Sequence, residues 1–327
     1  MTIAVTGATG FLGPALCATL AEQGHAVRAF TRSGSAPVRG VEPVRLVDLD
    51  DRAGLQLGCA EVDAVVHLAA RAHVMRDTVV DPEAEYMHVN VVGTRNVLEA
   101  ATAGGARHVV LLSSVKAIGE SNLAPWTEDH PAAPVDAYGR SKLHAEQEAL
   151  DFARRGLIRV SVLRLPLVYG PGARANVFRL LSLVERGWPL PLGSIRNRRS
   201  MIYLENAVAA IAALLFAPSQ ASGVYFASDG RDVSTPELVR MIAGALGKPA
   251  RLLPLSPALL QAAGRVGDQL RRVVRFPLSS AEIERLTGTL ALDTTRLAAT
   301  TGFRPPVTVE EGWRRTAEWF KSRQETS

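Results

Sequence analysis

Residues 2–13 read TIAVTGATGFLG, a short apolar run that leads directly into three closely spaced glycines. The run Ile3–Thr6 is typical of a buried strand, and an apolar helical pattern follows the glycines. In this strand–turn–helix order, Gly7 permits a tight turn, Gly10 lets the backbone approach a pyrophosphate, and Gly13 lets helix and sheet pack closely. The unpaired N–H groups at the start of the helix then face phosphates. The stretch therefore predicts a dinucleotide site rather than an ordinary glycine-rich turn.

Short apolar runs continue to alternate with amphipathic segments through the first two-thirds of the chain. Such alternation is typical of βαβ units, whose right-handed crossovers build a parallel sheet with helices on both faces. The sequence therefore predicts an α/β fold, a Rossmann-type doubly wound parallel sheet. The predicted strands are Ile3–Thr6, Ala26–Thr31, Val44–Val47, Ala64–His67, His108–Ser113 and Val160–Arg164, and the predicted helices are Pro14–Gln23, Glu83–Ala103 and Tyr138–Arg154.

After Gly172 the pattern changes, because prolines and glycines become frequent and helical segments dominate. We predict a smaller, mostly helical C-terminal lobe that closes over the carboxyl edge of the sheet and binds substrate. Residues 1–172 are accordingly assigned to the dinucleotide-binding part and residues 173–327 to the substrate lobe, interleaved as one compact unit. The helices predicted for the lobe are Val177–Arg186, Leu204–Phe216, Thr235–Leu246, Ser256–Val274 and Val309–Ser322.

Composition restricts the function classes. The chain of 327 residues has 37 Lys and Arg against 32 Asp and Glu, a mild excess that is spread along the chain and argues against a nucleic-acid partner. The two cysteines, Cys17 and Cys59, form no CxxC pair, so neither a disulfide framework nor a metal site is indicated.

Two further features concern the cellular location. A strand within the first six residues leaves no room for a signal peptide, and the longest apolar run, Ala207–Ala217, is shorter than the roughly 20 residues of a membrane span. The basic amphipathic stretch Ser256–Arg275 would suit a membrane surface, but a solvated helix of the smaller lobe explains it better. We therefore expect a cytoplasmic protein without a membrane partner.

The choice of cofactor depends on the end of the second predicted strand, AFTR (29–32). Proteins of this fold that bind NAD usually place Asp or Glu there, on the ribose 2′-hydroxyl. This chain has Thr31 instead, and the guanidinium of Arg32 can pair with a 2′-phosphate. We therefore expect NAD(P) as the cofactor, with NADP(H) favoured over NAD(H). Asp48 is the candidate for the adenine edge, and HLAA (67–70) brings small residues to where backbone must pass close to the cofactor.

A serine, a tyrosine and a lysine later in the chain point to proton and hydride chemistry. Ser114 follows a predicted strand, and Tyr138 and Lys142 are four residues apart, so they share one face of a helix. A nearby ammonium and the charge of the nicotinamide stabilise phenolate and lower a tyrosine pKa from its usual ~10. Tyr138 can then exchange a proton with a substrate oxygen that Ser114 holds, while hydride moves between substrate carbon and cofactor. Lys142 is also expected to bind the nicotinamide ribose.

Together these residues resemble a known family, the extended short-chain dehydrogenases that act on nucleotide sugars, also called the NAD-dependent epimerase/dehydratase family. The resemblance spans roughly residues 1–320. Counted from the first glycine loop, Thr31 falls where UDP-glucose 4-epimerases carry an NAD-selecting Asp. Counted back from Gly119, Ser114 rather than Ser113 falls on the catalytic serine or threonine. The landmarks, in order, are TGATGFLG (6–13), HLAA (67–70), VNVVGT (89–94), the serine pair, YGRSK (138–142), LR (163–164) and VYGPG (168–172).

The resemblance also implies binding residues. Arg199 matches the arginine that holds the substrate diphosphate, and Asn176 matches the residue whose backbone meets the nucleotide base. Three positions depart from the family pattern: Leu167 stands where many members have a phosphate-binding Asn, and Ile283 and Leu286 replace an Arg-x-x-Asp pair that the epimerases carry. The implied cofactor contacts are Gly7, Thr9, Gly10, Phe11, Leu12, Gly13, Thr31, Arg32, Asp48, Leu49, Leu68, Ala69, Ala70, Asn90, Tyr138, Lys142, Pro166 and Val168, and the implied substrate contacts are His73, Ser114, Lys116, Asn176 and Arg199.

Val115 and Lys116 argue against two of the reactions known in this family, elimination of water and decarboxylation. Sugar-nucleotide 4,6-dehydratases place Asp-Glu there, because eliminating water needs an extra acid and base, and sugar-acid decarboxylases also keep a carboxylate nearby. Valine and lysine take neither role. Segments 113–120 and 189–199 are most similar to a bacterial subgroup linked to surface-polysaccharide sugars. This subgroup includes reductases of UDP-4-keto-6-deoxy-N-acetylhexosamines and proteins named 4-epimerases.

We therefore predict an NADPH-dependent 4-ketoreductase of a nucleotide sugar. The alternative is an NAD-dependent UDP-sugar 4-epimerase, in which hydride leaves and returns without net redox change. A non-sugar ketone substrate also remains open, because Arg199 is the main sign of a diphosphate. A cofactor-sensing protein without chemistry has no use for the complete Ser–Tyr–Lys set. By analogy with the family, a homodimer through helices 83–103 and 138–154 is expected.

Overall fold

The chain folds around a parallel sheet with helices on both faces, and a computed structural model describes it over residues 1–72, 81–173, 176–218, 221–270 and 280–325. The strands are β1 (Thr2–Thr6), β2 (Ala26–Thr31), β3 (Glu42–Arg45), β4 (Ala64–His67), β5 (His108–Ser114), β6 (Arg159–Leu165), β7 (Leu167–Tyr169), β8 (Met201–Tyr203) and β9 (Gly223–Phe226). Seven of them form the main sheet in the order β3-β2-β1-β4-β5-β6-β9, and β7 and β8 form a small parallel pair. The predicted doubly wound α/β fold is confirmed.

Helices cover both faces of the sheet. They are α1 (Gly13–Glu22), α2 (Arg52–Cys59), α3 (Pro82–Met87), α4 (Gly93–Ala103), α5 (Ala137–Arg154), α6 (Asn176–Glu185), α7 (Leu204–Leu215), α8 (Thr235–Leu246), α9 (Pro257–Leu270), α10 (Ser280–Thr287), α11 (Thr295–Thr301) and α12 (Val309–Glu325). Alternate side chains of β1 enter opposite layers: Ile3 and Val5 share a core with α1 and α7, whereas Ala4 shares one with α2, α4 and α5. Burial on both faces explains why these strands are continuously apolar.

The single helix predicted over Glu83–Ala103 is in fact three pieces. Between α3 and α4 lies a π-helical turn, His88–Val92, and the fully buried Asn90 sits in it. Such turns widen a helix locally and are frequent at functional sites. The hydrophobic pattern does not reveal the interruption, because one extra residue per turn hardly changes the apolar period.

The strand β9 was not predicted, and it lies within the range assigned to the substrate lobe. Residues Gly223–Phe226 of β9 pair in parallel with residues 161–164 of β6. Helix α7, which belongs to the same range, packs against α1. A four-residue strand that begins at a glycine carries too short a pattern to be distinguished from a loop. The second part of the chain thus completes the sheet formed by the first.

The smaller lobe has its own core, in which β7 and β8 pack against helices α6, α8 and α12. Trp313 of α12 stacks on Tyr169 of β7 with 4.3 Å between ring centres. The Tyr169 hydroxyl donates to the buried Asp229 carboxylate at 2.7 Å, which also accepts from Asn206 of α7 at 2.7 Å. This carboxylate therefore joins the lobe to the helix that covers the sheet.

The predicted basic helix Ser256–Val274 corresponds to α9, which the structure describes from Pro257 to Leu270, and residues 271–274 lie outside the described ranges. Within those ranges, no helix combines the length and the apolar character needed to cross a membrane.

Candidate active site

The glycine loop between β1 and α1 is built so tightly that side chains cannot fit. Gly7 has a φ of +68°, and a Cβ there would lie 2.7 Å from the Ala69 nitrogen. A Cβ on Gly13 would lie 2.4 Å from the Ala8 carbonyl carbon. Backbone of two neighbouring loops therefore lines the carboxyl edge of the sheet, as close approach to a pyrophosphate requires. The loop fits a nicotinamide dinucleotide, with Thr9 and Phe11 exposed beside it and Leu12 buried beneath.

A buried chain of hydrogen bonds holds this cradle together. The Ala69 nitrogen donates to the Thr6 hydroxyl at 3.2 Å, and Thr6 Oγ1 lies 2.6 Å from His67 Nδ1. On the other side of the ring, His67 Nε2 lies 3.1 Å from Thr94 Oγ1, which donates to the Asn90 carbonyl at 2.6 Å. Because Thr94 donates onward, Nε2 carries the ring proton and Nδ1 accepts from Thr6. Burial lowers the pKa of His67 to about 3, so the ring stays neutral.

Asn90 fastens the loop after β4 to α5. Its Oδ1 accepts from the Arg71 nitrogen at 2.7 Å, and its Nδ2 donates to Ser141 Oγ at 2.8 Å. The predicted cofactor contacts Leu68, Ala69 and Ala70 lie in the loop that Asn90 holds. The side chain of Asn90 thus positions this loop, and its predicted contact with the cofactor stays a prediction.

The ends of β2 and β3 carry the residues predicted for the adenosine half. Thr31 is buried, and its hydroxyl has no hydrogen-bond partner among the residues that the structure describes. Arg32 directly after it is exposed. The Asp48 carboxylate accepts from the Asp50 nitrogen at 2.9 Å, and thereby shapes the turn that precedes α2. Leu49 packs so closely on α4 that a Cβ on Gly93 would lie 2.6 Å from it.

Ser114, Tyr138 and Lys142 come together at the carboxyl edge. Ser114 ends β5, and Tyr138 lies in the first turn of α5 with Lys142 one turn later. Burial raises the pKa of Tyr138 to about 12, and the hydrogen bond with Ser114 lowers it in part. Lys142 is only 3% exposed, and its ammonium donates to the Leu112 carbonyl at 2.6 Å. Burial lowers the pKa of Lys142 to about 8, so the ammonium form still predominates at neutral pH.

The start of α5 is fixed by an aspartate that sequence reasoning missed. The Asp136 carboxylate accepts from the Gly139 nitrogen at 2.7 Å and caps the helix. Its other oxygen lies 2.6 Å from Lys116 Nζ, which also lies 2.5 Å from Glu120 Oε1. An aspartate directly before a helical pattern was the available signal. Lys116, predicted to contact substrate, is thus held by two carboxylates beside the helix that carries Tyr138.

Two of the predicted substrate residues, Arg199 and Asn176, lie after β6. Arg199 pairs through its backbone with Val233, and its guanidinium Nη1 donates to the Gly288 carbonyl at 3.0 Å. Asn176 is exposed at the start of α6. His73 lies outside the described residues. The predicted cofactor contacts Pro166 and Val168 flank Leu167, which is 40% exposed.

The chain is similar to several known proteins along nearly its whole length. A model of the "NAD dependent epimerase/dehydratase family" matches residues 3–226. A UDP-glucose 4-epimerase from Vibrio cholerae is 36% identical over 97% of this chain and 95% of that protein. A 2-alkyl-3-oxoalkanoate reductase from Stenotrophomonas maltophilia is 32% identical over 96% of this chain and 98% of that protein. The solved structure of MoeE5 in complex with UDP-glucose and NAD has a TM-score of 0.76 and 28% identity, and covers 100% of both chains.

Proposed function

Because this chain belongs to the NAD-dependent epimerase/dehydratase family of short-chain dehydrogenase-type enzymes, we propose that it reduces the 4-keto group of a UDP-sugar with NADPH. The observation that carries the proposal is the grouping of Ser114, Tyr138 and Lys142, which serves proton exchange at one substrate oxygen. Lys116 occupies the place where elimination of water needs an acid or base, and its ammonium is held by Glu120 and Asp136. Simple reduction needs no group there.

The chain's own residues divide the work of the reaction. The glycine loop and Lys142 would hold the cofactor, which would supply hydride. Ser114 orients the substrate carbonyl oxygen, and the Tyr138 hydroxyl donates the proton that this oxygen needs as it becomes a hydroxyl. The ammonium of Lys142 stabilises the phenolate that remains on Tyr138.

The second candidate is a UDP-sugar 4-epimerase, and the relative from Vibrio cholerae favours it. The two activities differ in their demand for cofactor. A reductase consumes one NADPH for each UDP-4-keto-6-deoxy-hexosamine reduced, whereas an epimerase interconverts UDP-glucose and UDP-galactose with the NAD that it retains. We expect stoichiometric loss of NADPH absorbance with the keto sugar and no interconversion without added cofactor. Interconversion by the purified protein alone would establish the epimerase instead.

NADPH is expected to bind at least ~10-fold more tightly than NADH, which corresponds to about 1.4 kcal/mol. Thr31 offers only a hydroxyl where a carboxylate would repel a 2′-phosphate, and the exposed Arg32 adds a planar donor fork that matches phosphate. Isothermal titration of both cofactors measures the difference. Thr31→Asp combined with Arg32→Asn should reverse the order. Equal affinities in the unmodified protein would mean that Arg32 faces solvent, and would support the epimerase.

Arg199→Ala is expected to raise KM for a UDP-sugar about 10–150-fold, because a charge-assisted contact to the diphosphate is lost. Cofactor affinity should stay nearly unchanged. The matched control is Arg198→Ala, which removes a neighbouring arginine that is 64% exposed and paired with Asp232. If KM rises equally for a ketone without a diphosphate, Arg199 does not bind that group, and a non-sugar substrate like that of the Stenotrophomonas relative becomes the better candidate.

Three expectations accompany this proposal. We propose a homodimer through the outer faces of α4 and α5, as the family resemblance implies, and a cytoplasmic location without nucleic-acid or membrane partners. We also propose that residues 1–172 mainly bind the cofactor and residues 173–327 mainly bind the substrate.

A further inference from the structure

Helix α5 places a third ionisable residue on the face that carries Tyr138 and Lys142. Glu146 lies one turn beyond Lys142 and is buried beneath the active site, with its side chain only 1% exposed. A carboxylate this deeply buried is costly unless it is paired and hydrogen-bonded. The reaction proposed above makes no use of Glu146, so its charge needs a separate explanation.

Two strands supply the partners of this carboxylate. Arg164 of β6 donates from Nε to Glu146 Oε1 at 3.0 Å and from Nη2 to Oε2 at 2.6 Å, and the arginine side chain is 7% exposed. The hydroxyl of Ser113, the neighbour of Ser114 on β5, also donates to Glu146. Each of these contacts is a donor to a carboxylate oxygen, so the buried side chain of Glu146 is both paired and hydrogen-bonded.

The buried charges alternate in sign from the active site into the core: Lys142, Glu146, Arg164. Burial disfavours the ammonium form by lowering the pKa of Lys142, and the negative charge of Glu146 opposes this by raising that pKa. Two other polar groups that the structure places near Lys142 are uncharged. The Leu112 carbonyl is neutral, and the His67 ring on β4 is uncharged at neutral pH.

The charged groups on the remaining elements around α5 are already paired with one another. On the 3₁₀ turn after β5, Lys116 is bound by Asp136 and Glu120. On α3, Glu83 pairs with Arg140 on the outer side of α5. Glu146 is therefore the carboxylate through which the core acts on Lys142.

We propose that the Glu146–Arg164 pair is a positioning element that keeps Lys142 in its ammonium form and, through Ser113, fixes the strand end that carries Ser114. Glu146 touches neither substrate nor cofactor in this arrangement. The charge of Glu146 raises the pH at which Lys142 loses its proton. Tyr138 therefore has a cation beside it up to a higher pH. The inference concerns the site itself and does not depend on which sugar is bound.

The titration of Lys142 can be followed directly, because the chain has only four lysines: Lys116, Lys142, Lys248 and Lys321. In protein labelled with ¹³C-lysine, each side-chain signal shifts as its amine ionises, and the Lys142 signal is the one missing from Lys142→Arg. In the unmodified protein we expect Lys142 to titrate with a pKa of about 8. Glu146→Gln should lower this midpoint by at least about one pH unit, a tenfold loss of proton affinity.

A second variant guards against misfolding, because Glu146→Gln leaves Arg164 buried without its counter-charge. Glu146→Gln combined with Arg164→Met removes both charges together and should still lower the midpoint, although by less than Glu146→Gln alone, which leaves the positive charge of Arg164 nearby. The matched control is Glu148→Gln, on the same helix, where Glu148 pairs with Arg95 on the outer face. It should leave Lys142 unchanged. An unchanged Lys142 midpoint in the double variant, or an equal drop in Glu148→Gln, would overturn the proposal.

Discussion

Tyr138→Phe is expected to lower turnover about 10²–10⁴-fold, the scale of one general acid or base, while cofactor binding stays nearly intact. The phenylalanine keeps the ring that packs edge-on against Tyr86, with 6.1 Å between ring centres, and removes only the hydroxyl. Binding should survive because the proposed cofactor contacts, the glycine loop and Lys142, are unchanged. Turnover is measured with the keto sugar and NADPH, and affinity by titration of cofactor alone.

The neighbouring ring provides the control for this experiment. Tyr86→Phe removes a hydroxyl from the other ring of the same pair and should change turnover by less than about threefold, since no proton transfer is assigned to it. If Tyr138→Phe retains most of its activity, or if the two variants lose activity equally, proton transfer by Tyr138 is ruled out.

Gly7→Ala is expected to weaken cofactor binding at least about 100-fold, or about 2.7 kcal/mol. The φ of +68° disfavours any residue with a Cβ, and this Cβ would lie 2.7 Å from the Ala69 nitrogen and 2.9 Å from the Leu68 carbonyl carbon. Backbone cannot rotate away as a side chain can, so the two loops of the cradle must separate. Isothermal titration with NADPH and NADH measures the loss, and circular dichroism checks that the variant folds.

Gly24→Ala separates backbone strain from crowding. Gly24 has a φ of +82°, but a Cβ there would have no neighbour within 4 Å. This variant should lose about 1–2 kcal/mol of stability from the left-handed conformation and bind cofactor normally. Equal loss of affinity in both variants would show that general destabilisation, and not the cradle, explains the result.

The sequence predicted most of the sheet because its strands are buried on both faces. The observed bounds of β2 and β4 agree with the prediction, and those of β1, β5 and β6 differ by a residue at one or both ends. The strand β3 lies about two residues earlier than predicted, since it is an edge strand with little buried apolar surface. Helix α2 was not predicted, because its glycines weaken the helical pattern.

The candidate site was predictable where spacing along one element decides the geometry. The pair Tyr138 and Lys142 follows from helical periodicity, and the glycine loop follows from its place between strand and helix. Contacts between elements could not be read in this way. The ion pairs of Lys116 with Asp136, and of Glu146 with Arg164, join residues far apart in sequence, and no local pattern specifies them. Glu146 lies four residues after Lys142, a helical spacing from which the sequence could have placed both residues on one face of α5.

Strand β9 is synthesised well after β6, its neighbour in the sheet, and this delay bears on folding during synthesis. When the ribosome has completed β6, all three residues of the Ser–Tyr–Lys set have already been synthesised, but the strand that covers β6 has not. At about 5–20 residues per second, β6 waits roughly 3–12 s for its neighbour. An uncovered strand edge is a template for pairing with another chain. Until β9 has been synthesised, the edge of β6 that it covers in the finished sheet is available for pairing with another chain, and a chaperone bound at that time would protect it.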